Sequence, residues 1–206
     1  VMGGLNAYVD LQVRHVSYEF LGFTNDLDRI DETANHTFFN PKAGLTYELP
    51  SGGQAYASFG VAQREPNRND YTENTLATRP TSEKLLNTEV GIRKQSGDFN
   101  YGANVYHMAY KDQLVLTGEL NDVGEYIRAN VPNSYRLGLE LQGGYRVTDQ
   151  LDIGGNLALS RNRVKAYTEF LDIYDDYFNW LVQHEVCLLH TSPIPLDRTT
   201  SRMPSP

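Results

Sequence analysis

Apolar and polar residues alternate strictly between positions 134 and 147, where the sequence reads SYRLGLELQGGYRV. A period of two is typical of a β-strand with two chemically different faces, whereas an amphipathic helix would show a period of 3.6. A second alternating run covers residues 151–160, directly after the turn sequence Thr148-Asp149-Gln150. The two runs are therefore predicted to form a β-hairpin.

The same unit occurs twice more upstream. Alternating runs at residues 43–49 and 55–61 flank the turn sequence PSGG, and runs at 86–93 and 99–105 flank SGD. A further run begins at Leu5 and extends to about residue 20. Together these runs predict an all-β fold, an antiparallel meander of about seven strands.

The segments between the hairpins are long and polar. They cover residues 21–40, 64–84, 111–132 and the chain from 164 onward, and each of the first three is about twenty residues long. Short turns at one end of a sheet and long loops at the other are typical of outer-membrane β-barrels. The strands also have the length that a tilted crossing of a bilayer requires. The pattern predicts part of a transmembrane β-barrel.

Alternation alone leaves open which side of the sheet the apolar stripe contacts. A soluble or surface-exposed β-sandwich that binds glycans would bury it, whereas a membrane barrel turns it toward lipid. Large charged residues on the polar stripe, such as Arg136 and Glu140, suit a water-filled lumen. Aromatic residues near the predicted strand ends suit membrane interfaces; they are Tyr47, Phe99, Tyr101, Tyr135, Tyr145 and Tyr167. Both features favour the barrel, and the glycan-binding sandwich is kept as the alternative.

Composition excludes several classes of protein. The chain of 206 residues has a formal net charge of −8, which argues against a nucleic-acid partner because such proteins carry a basic stripe. No apolar run approaches the length of a transmembrane helix. The single Cys excludes a disulfide framework within the chain.

Catalytic and metal-binding patterns are weak. The sequence offers no nucleophile–base pair and no glycine-rich phosphate loop before a helix, so neither enzymatic activity nor a cofactor is predicted. His184, Cys187 and His190 have ligand-like spacing but fall in a segment without strand periodicity. Asp172, Asp175 and Asp176 do not match a calcium-binding loop. No metal site is predicted.

Several stretches resemble a known family. They are residues 40–47 (NPKAGLTY) with 55–60 (AYASFG), 64–71 (REPNRNDY), 110–118 (YKDQLVLTG) and 130–140 (NVPNSYRLGLE). Taken together they resemble the barrel of TonB-dependent outer-membrane receptors, and the likeness extends from about Leu5 to Tyr177.

This resemblance implies a transporter in the outer membrane of Gram-negative bacteria. It would take up a scarce small-molecule ligand, such as an iron siderophore or cobalamin, with energy delivered by TonB. The implied partners are outer-membrane lipid, the plug domain of the full-length receptor, and TonB through an N-terminal part that precedes the barrel. Such receptors have about 22 strands, so the chain is read as part of a barrel wall. We expect the segment alone to be inactive.

Two regions are predicted. Residues 1–177 form the partial barrel, and residues 178–206 form an irregular tail that contains the only Trp and the only Cys of the chain. The tail lacks strand periodicity and is rich in proline at its end, so no further strand is expected there. We hypothesise that a frameshift or a misassembled gene end produced this tail.

Candidate binding residues come from the charged positions of the resemblance and of the polar stripe. They are expected to face ligand or plug, and charge-assisted hydrogen bonds are the contacts they would make. The candidates are Arg64, Glu65, Asn67, Arg68, Asp70, Arg136, Glu140 and Arg146.

Overall fold

The chain forms one antiparallel sheet. The computed structural model describes residues 4–23, 29–50, 52–72, 79–120, 126–174 and 180–191. The strands are β1 (Leu5–Phe23), β2 (Arg29–Glu48), β3 (Gln54–Arg64), β4 (Glu83–Ser96), β5 (Phe99–Leu120), β6 (Tyr126–Thr148), β7 (Leu151–Tyr174) and β8 (Trp180–Thr191). They follow one another in chain order across the sheet, and each pairs with the next. The predicted partial antiparallel meander is thus confirmed.

The three predicted hairpins are present. β2 and β3, β4 and β5, and β6 and β7 are each joined by a short turn at the expected position. Glycines with positive φ lie at two of these turns, namely Gly52 and Gly53 (73° and 120°) and Gly97 (59°). Residues with a Cβ rarely adopt this region of backbone space, so glycine is favoured there. All three turns lie at one end of the sheet, here called the short-turn end; the opposite end is the loop end.

The strands extend well beyond their alternating runs. β1 continues to Phe23 and pairs with β2 from Arg29 onward, so most of the predicted loop 21–40 is strand. Likewise β5 reaches Leu120 and β6 begins at Tyr126, within the predicted loop 111–132. At these levels polar residues fall on both faces of the sheet, so no two-residue hydrophobic period marks the strand. Among the described residues, only the connection between β3 and β4 departs from strand structure over a long stretch.

The end of the chain also differs from the expectation of an irregular tail from residue 178. Residues 180–191 form β8, which pairs with β7 from Val164↔Thr191 to Tyr174↔Trp180. An edge strand is held by backbone hydrogen bonds, which need no alternation of side chains. The sheet therefore has one strand more than the about seven predicted. Residues 192–206 lie outside the described residues, and the frameshift origin of the tail stays a prediction.

The apolar residues share one face of the sheet, here called the apolar face. Its central row crosses seven strands through direct register partners: Ala7, Leu45, Ala57, Val90, Val105, Leu139 and Leu159. Leu45, Val90 and Leu159 are about half exposed, at 51%, 56% and 56%. In the described part of the chain no second sheet covers this face. A β-sandwich would bury these residues, so the glycan-binding sandwich is not favoured.

The opposite face, here called the polar face, carries tyrosines that lie over glycines. Tyr8, Tyr56 and Tyr106 are the direct register partners of Gly44, Gly91 and Gly138, respectively. In each pair the ring occupies the space that a Cβ on the glycine would fill. Aromatic cover of this kind shields glycine backbone from solvent and helps to fix the strand register.

The described residues include no helix long and apolar enough to cross a membrane.

Candidate functional site

The connection between β3 and β4 folds onto the polar face at the loop end. The structure describes its residues 65–72 and 79–82, including the short helix α1 (Arg68–Thr72). Its side chains contact β1, β2 and β6, and they form the densest polar network among the described residues. We call this group of contacts the loop-end network.

Glu65 connects the start of this loop to β1. Its carboxylate accepts hydrogen bonds from Arg14 Nη1 (3.2 Å) and Nη2 (2.5 Å) and from the Tyr18 hydroxyl (2.8 Å). Arg14 also donates to the Gln63 carbonyl (3.1 Å), and its guanidinium lies 5.0 Å from the centre of the Phe38 ring. Two parallel N–H···O bonds fix the direction as well as the distance of an Arg–carboxylate pair.

The electrostatics of Glu65 favour its charged form. Burial acts to raise the pKa of this carboxyl, but a backbone N–H, the Tyr18 hydroxyl and the Arg14 guanidinium stabilise the carboxylate, and the net effect lowers the pKa below its ordinary value. Glu65 is therefore ionised at neutral pH, as the ion pair with Arg14 requires.

Helix α1 begins with a reciprocal cap. The Asn67 backbone N–H donates to Asp70 Oδ2 (2.7 Å), and the Asp70 N–H donates to Asn67 Oδ1 (3.0 Å). This is a capping box in which Asn and Asp replace the usual Ser/Thr and Glu/Gln. Asp70 is buried and lies 3.5 Å from Arg128 Nη1 on β6, so the same carboxylate connects the helix to a distant strand.

An aromatic and imidazole cluster holds the other side of α1. The Tyr71 hydroxyl lies 2.7 Å from His36 Nε2, and the Ser82 hydroxyl lies 3.1 Å from His36 Nδ1. Phe20 packs against Tyr71 with a ring separation of 5.0 Å, and the Arg79 guanidinium lies 5.4 Å from the Tyr71 ring centre. Burial raises the pKa of Tyr71; Arg79 opposes that shift, and the charges of Asp70 and Glu65 add to it. Tyr71 is neutral at physiological pH.

The return of the loop to β4 is tied to β3, β5 and β6. Glu83 pairs with Arg64 Nε (3.1 Å) and accepts a hydrogen bond from the Leu114 N–H (3.0 Å). Asn130 accepts from the Thr81 N–H (2.6 Å) and donates to the Asp112 carbonyl (2.6 Å). Asp112 has a φ of 53°, a backbone conformation for which Asp is among the better suited residues. The loop is thus anchored at both ends.

The predicted candidates fall into two groups. Glu65, Asn67 and Asp70 belong to the loop-end network, Arg64 lies at its edge, and Arg68 is exposed in α1. The candidates on β6 lie elsewhere on the polar face. Arg136 lies 5.6 Å from the Tyr110 ring, Glu140 lines a shallow concavity with Arg93 and Gln142, and Arg146 pairs with Asp152 (3.2 Å) beside the short turn. The structure does not bring the two groups together.

Sequence reasoning missed Arg14, Tyr18, His36, Tyr71 and Arg128. Arg14 and Tyr18 lie on the polar stripe of β1, which is the only sequence signal for them. In the described ranges no three His, Cys, Asp or Glu side chains converge to hold a metal ion. Asp175 and Asp176 lie outside the described residues. The chemistry available from the described residues of the loop end is hydrogen bonding and charge pairing.

A family model described as "TonB dependent receptor-like, beta-barrel" matches residues 5–186 of this chain. The chain belongs to this family. The match covers β1 to β7 and enters β8, in agreement with the strand order of the sheet. Proteins of the family are transporters, and the predicted resemblance is confirmed. Comparison with curated protein sequences gives no match.

Solved structures of receptor barrels have a similar fold. The copper transporter OprC superposes with a TM-score of 0.64 at 16% identity, covering 78% of this chain and 28% of that one. The FrpB iron transporter from Neisseria meningitidis gives 0.59 at 20% identity, with 78% and 24% coverage. The ferric-catecholate import receptor Fiu from K12 E. coli gives 0.54 at 19% identity, with 80% and 26% coverage. The chain thus spans about a quarter of the length of these proteins.

Proposed function

We propose that this chain is a segment of the wall of an outer-membrane receptor that takes up a scarce ligand in a TonB-dependent manner. The observation that carries the proposal is the two-faced sheet of a TonB-dependent receptor family member: an uncovered apolar face opposite a polar face with a structured loop. The apolar face is the kind of surface that contacts lipid, and the polar face is the kind that lines a water-filled lumen. Transport of this kind is binding followed by rearrangement, with no covalent chemistry.

The proposal includes partners that complete the barrel. In the described residues β1 and β8 are free edges, and an open edge does not occur in hydrocarbon because its backbone groups would lack hydrogen bonds. Further strands must therefore cover both edges in the membrane. We propose that a plug domain fills the lumen, that TonB acts through an N-terminal part, and that residues 1–206 alone do not transport.

The ligand class is a scarce small molecule such as an iron siderophore, cobalamin or a similar nutrient. Names of the structural neighbours refer to copper, iron and ferric-catecholate transport, and that range supports a metal-containing nutrient without selecting one. The test is an uptake assay in the host strain with the gene deleted. Uptake of one labelled ferric siderophore, copper or cobalamin should fall, return on complementation, and vanish on loss of TonB. Unchanged uptake of every nutrient would contradict the proposal.

The two groups of candidate residues are proposed to have different roles. Glu65, Asn67 and Asp70 are occupied by protein partners, so they shape the loop end, whereas the exposed Arg68 is free to reach a ligand that enters from outside. Arg64, which pairs with Glu83, is proposed to stabilise the same loop-end surface. Arg136, Glu140 and Arg146 lie deeper along β6, where a plug would contact the wall.

Binding and transport assays separate these roles in the complete receptor. Arg68→Ala should weaken ligand binding to cells on the order of tenfold, the loss expected for one charge-assisted contact. Glu140→Ala should leave binding intact and slow uptake, because a wall–plug contact matters during rearrangement. The reverse assignment of defects, or two silent variants, would refute the division of roles.

A further inference from the structure

The apolar face carries a group of basic residues at its loop end. Lys84 on β4 lies directly opposite Lys111 on β5, and Arg161 and Arg163 on β7 lie opposite Leu137 and Tyr135 of β6. Lys165 follows two residues after Arg163, on the same face. We call Lys84, Lys111, Arg161, Arg163 and Lys165 the basic rim.

On β4–β7 the basic rim has no acidic residue between itself and the short turns on its own face. From the short turns up to the rim, the described positions of the apolar face on β4–β7 hold neither Asp nor Glu. Over this span the carboxylates of β4, β6 and β7 occupy polar-face positions; they are Glu83, Glu89, Glu140 and Asp152. Among the described residues no ion pair joins a rim side chain to a carboxylate.

This arrangement has a cost that the sheet itself does not offset. Like charges placed directly opposite one another on neighbouring strands, as in Lys84 and Lys111, destabilise the pair. Basic side chains that share rows with aliphatic residues also need a polar environment at their level along the strands. Anionic groups beside this face of the sheet would offset the repulsion and would supply that polar environment.

The level of the rim along the strands matches a membrane interface. On β6 and β7 leucines fill the middle rows of the apolar face, and the rim begins in the next row, where Leu137 is paired with Arg161. Tyr135 lies in the row of Arg163 and contacts the ring of His107 at 6.0 Å. Aromatic residues concentrate where hydrocarbon meets headgroups, so the rim lies at headgroup level on the side of the long loops.

We propose that the basic rim binds the phosphate groups of phosphorylated lipid in the outer leaflet. The inference rests on the proposed function, because it needs the apolar face to contact lipid. Clusters of Lys and Arg beside a membrane-embedded surface attract anionic headgroups, and Arg can bind phosphate with two parallel hydrogen bonds. The occupant is a lipid, since the rim continues the apolar rows that contact acyl chains.

The test uses the complete receptor that contains this segment, purified in neutral detergent. Thermal unfolding is measured with lipid A, with dephosphorylated lipid A and with inorganic phosphate at equal phosphate concentration. Only lipid A should raise the Tm, and added salt should reduce the rise because exposed charges are screened. An equal rise with dephosphorylated lipid A, or a rise that ignores salt, would overturn the proposal. A rise with inorganic phosphate alone would show a free-phosphate site instead of a lipid site.

Variants localise the effect. The doubles K84Q/K111Q and R161Q/R163Q should each weaken lipid A binding on the order of tenfold. The matched control is Lys94→Gln, which removes a charge from the same face beside the short turns and should bind as wild type. If one double variant fails to fold, the other double variant and the salt dependence of the wild-type Tm still test the proposal. If the receptor fractionates to the outer membrane but its Tm does not respond to lipid A, only this inference is refuted. If it does not fractionate to the outer membrane, the proposed function is refuted.

Discussion

Arg14 on β1 and Glu65, which directly follows β3, form a two-pronged ion pair across the polar face although they are 51 positions apart in sequence. The pair joins the first strand of the sheet to the only long non-strand connection in the described part of the chain. Tyr18 adds a third hydrogen bond to the same carboxylate. The geometry makes Glu65 the residue that anchors the start of the loop to β1.

Glu65→Gln should loosen the loop without disrupting the sheet. An amide keeps the shape but loses the charge that attracts Arg14, at an expected cost of about 1–2 kcal/mol, moderated because Arg14 is partly exposed. Hydrogen exchange of residues 65–72 in the complete receptor should accelerate. Asp152→Asn is the control, since its pair with Arg146 is exposed on both sides and contributes little. Equal exchange in both variants would contradict the assigned role of Glu65.

The loop contact should also depend on pH. The folded pKa of Glu65 lies below its ordinary value of 4.5, so the carboxylate stabilises the folded loop fully above that value. The contribution should decline as pH falls through about 4.5 and be lost below the folded pKa. Limited proteolysis of the loop between neutral and acidic pH measures this, and the Glu65→Gln variant should show a weaker dependence. If the loop became easier to cleave only at alkaline pH, the result would contradict the lowered pKa of Glu65.

Gly138→Ala should destabilise the barrel through Tyr106. The Tyr106 ring occupies the place of a Gly138 Cβ, so an added methyl group must displace the ring, at a cost of about 1–3 kcal/mol. Gly155→Ala is the matched control, because nothing lies within 4 Å of its Cβ position. Heat-modifiability on gels gives the order of stability. The double Y106A/G138A should recover part of the loss; additive effects would show that the two residues are not coupled.

Leu159→Arg should block membrane insertion. Leu159 lies in the central row of the apolar face and is 56% exposed in the sheet, so a charge there would meet hydrocarbon at a cost of about 2–4 kcal/mol. Ser160→Arg, one residue further along β7 and therefore on the other face, should insert normally. Outer-membrane fractionation of both variants provides the measurement. Normal insertion of Leu159→Arg would count against lipid on the apolar face.

Sequence pattern predicted the three hairpins because each keeps an apolar row on one side over many residues. The same pattern fails at the loop end of β1 and β2, where both faces meet water or polar partners and no period remains. β8 escaped prediction for a related reason, since its pairing with β7 needs only backbone groups. A two-residue period arises only where the two faces of a strand have different environments. A strand can continue beyond that region without showing the period.

The site was predictable only in part. Glu65, Asn67 and Asp70 lie in one local stretch, and the Asn67–Asp70 cap is a local contact that sequence spacing can suggest. The distant partners of Glu65 and Asp70 are Arg14 and Arg128, and only the sheet register and the folding of the loop bring them near. Long-range partners of this kind leave no local signal.

The central claim is that the apolar face contacts lipid while the polar face contacts water and the plug. Spin labels placed one at a time on β6 at residues 137, 139, 140, 141 and 142, in the complete receptor with Cys187→Ser, test it directly in lipid vesicles. Labels at 137, 139 and 141 should collide with dissolved oxygen, and labels at 140 and 142 with a water-soluble nickel complex. Uniform exposure of all five labels to the nickel complex, or the opposite alternation, would contradict the account.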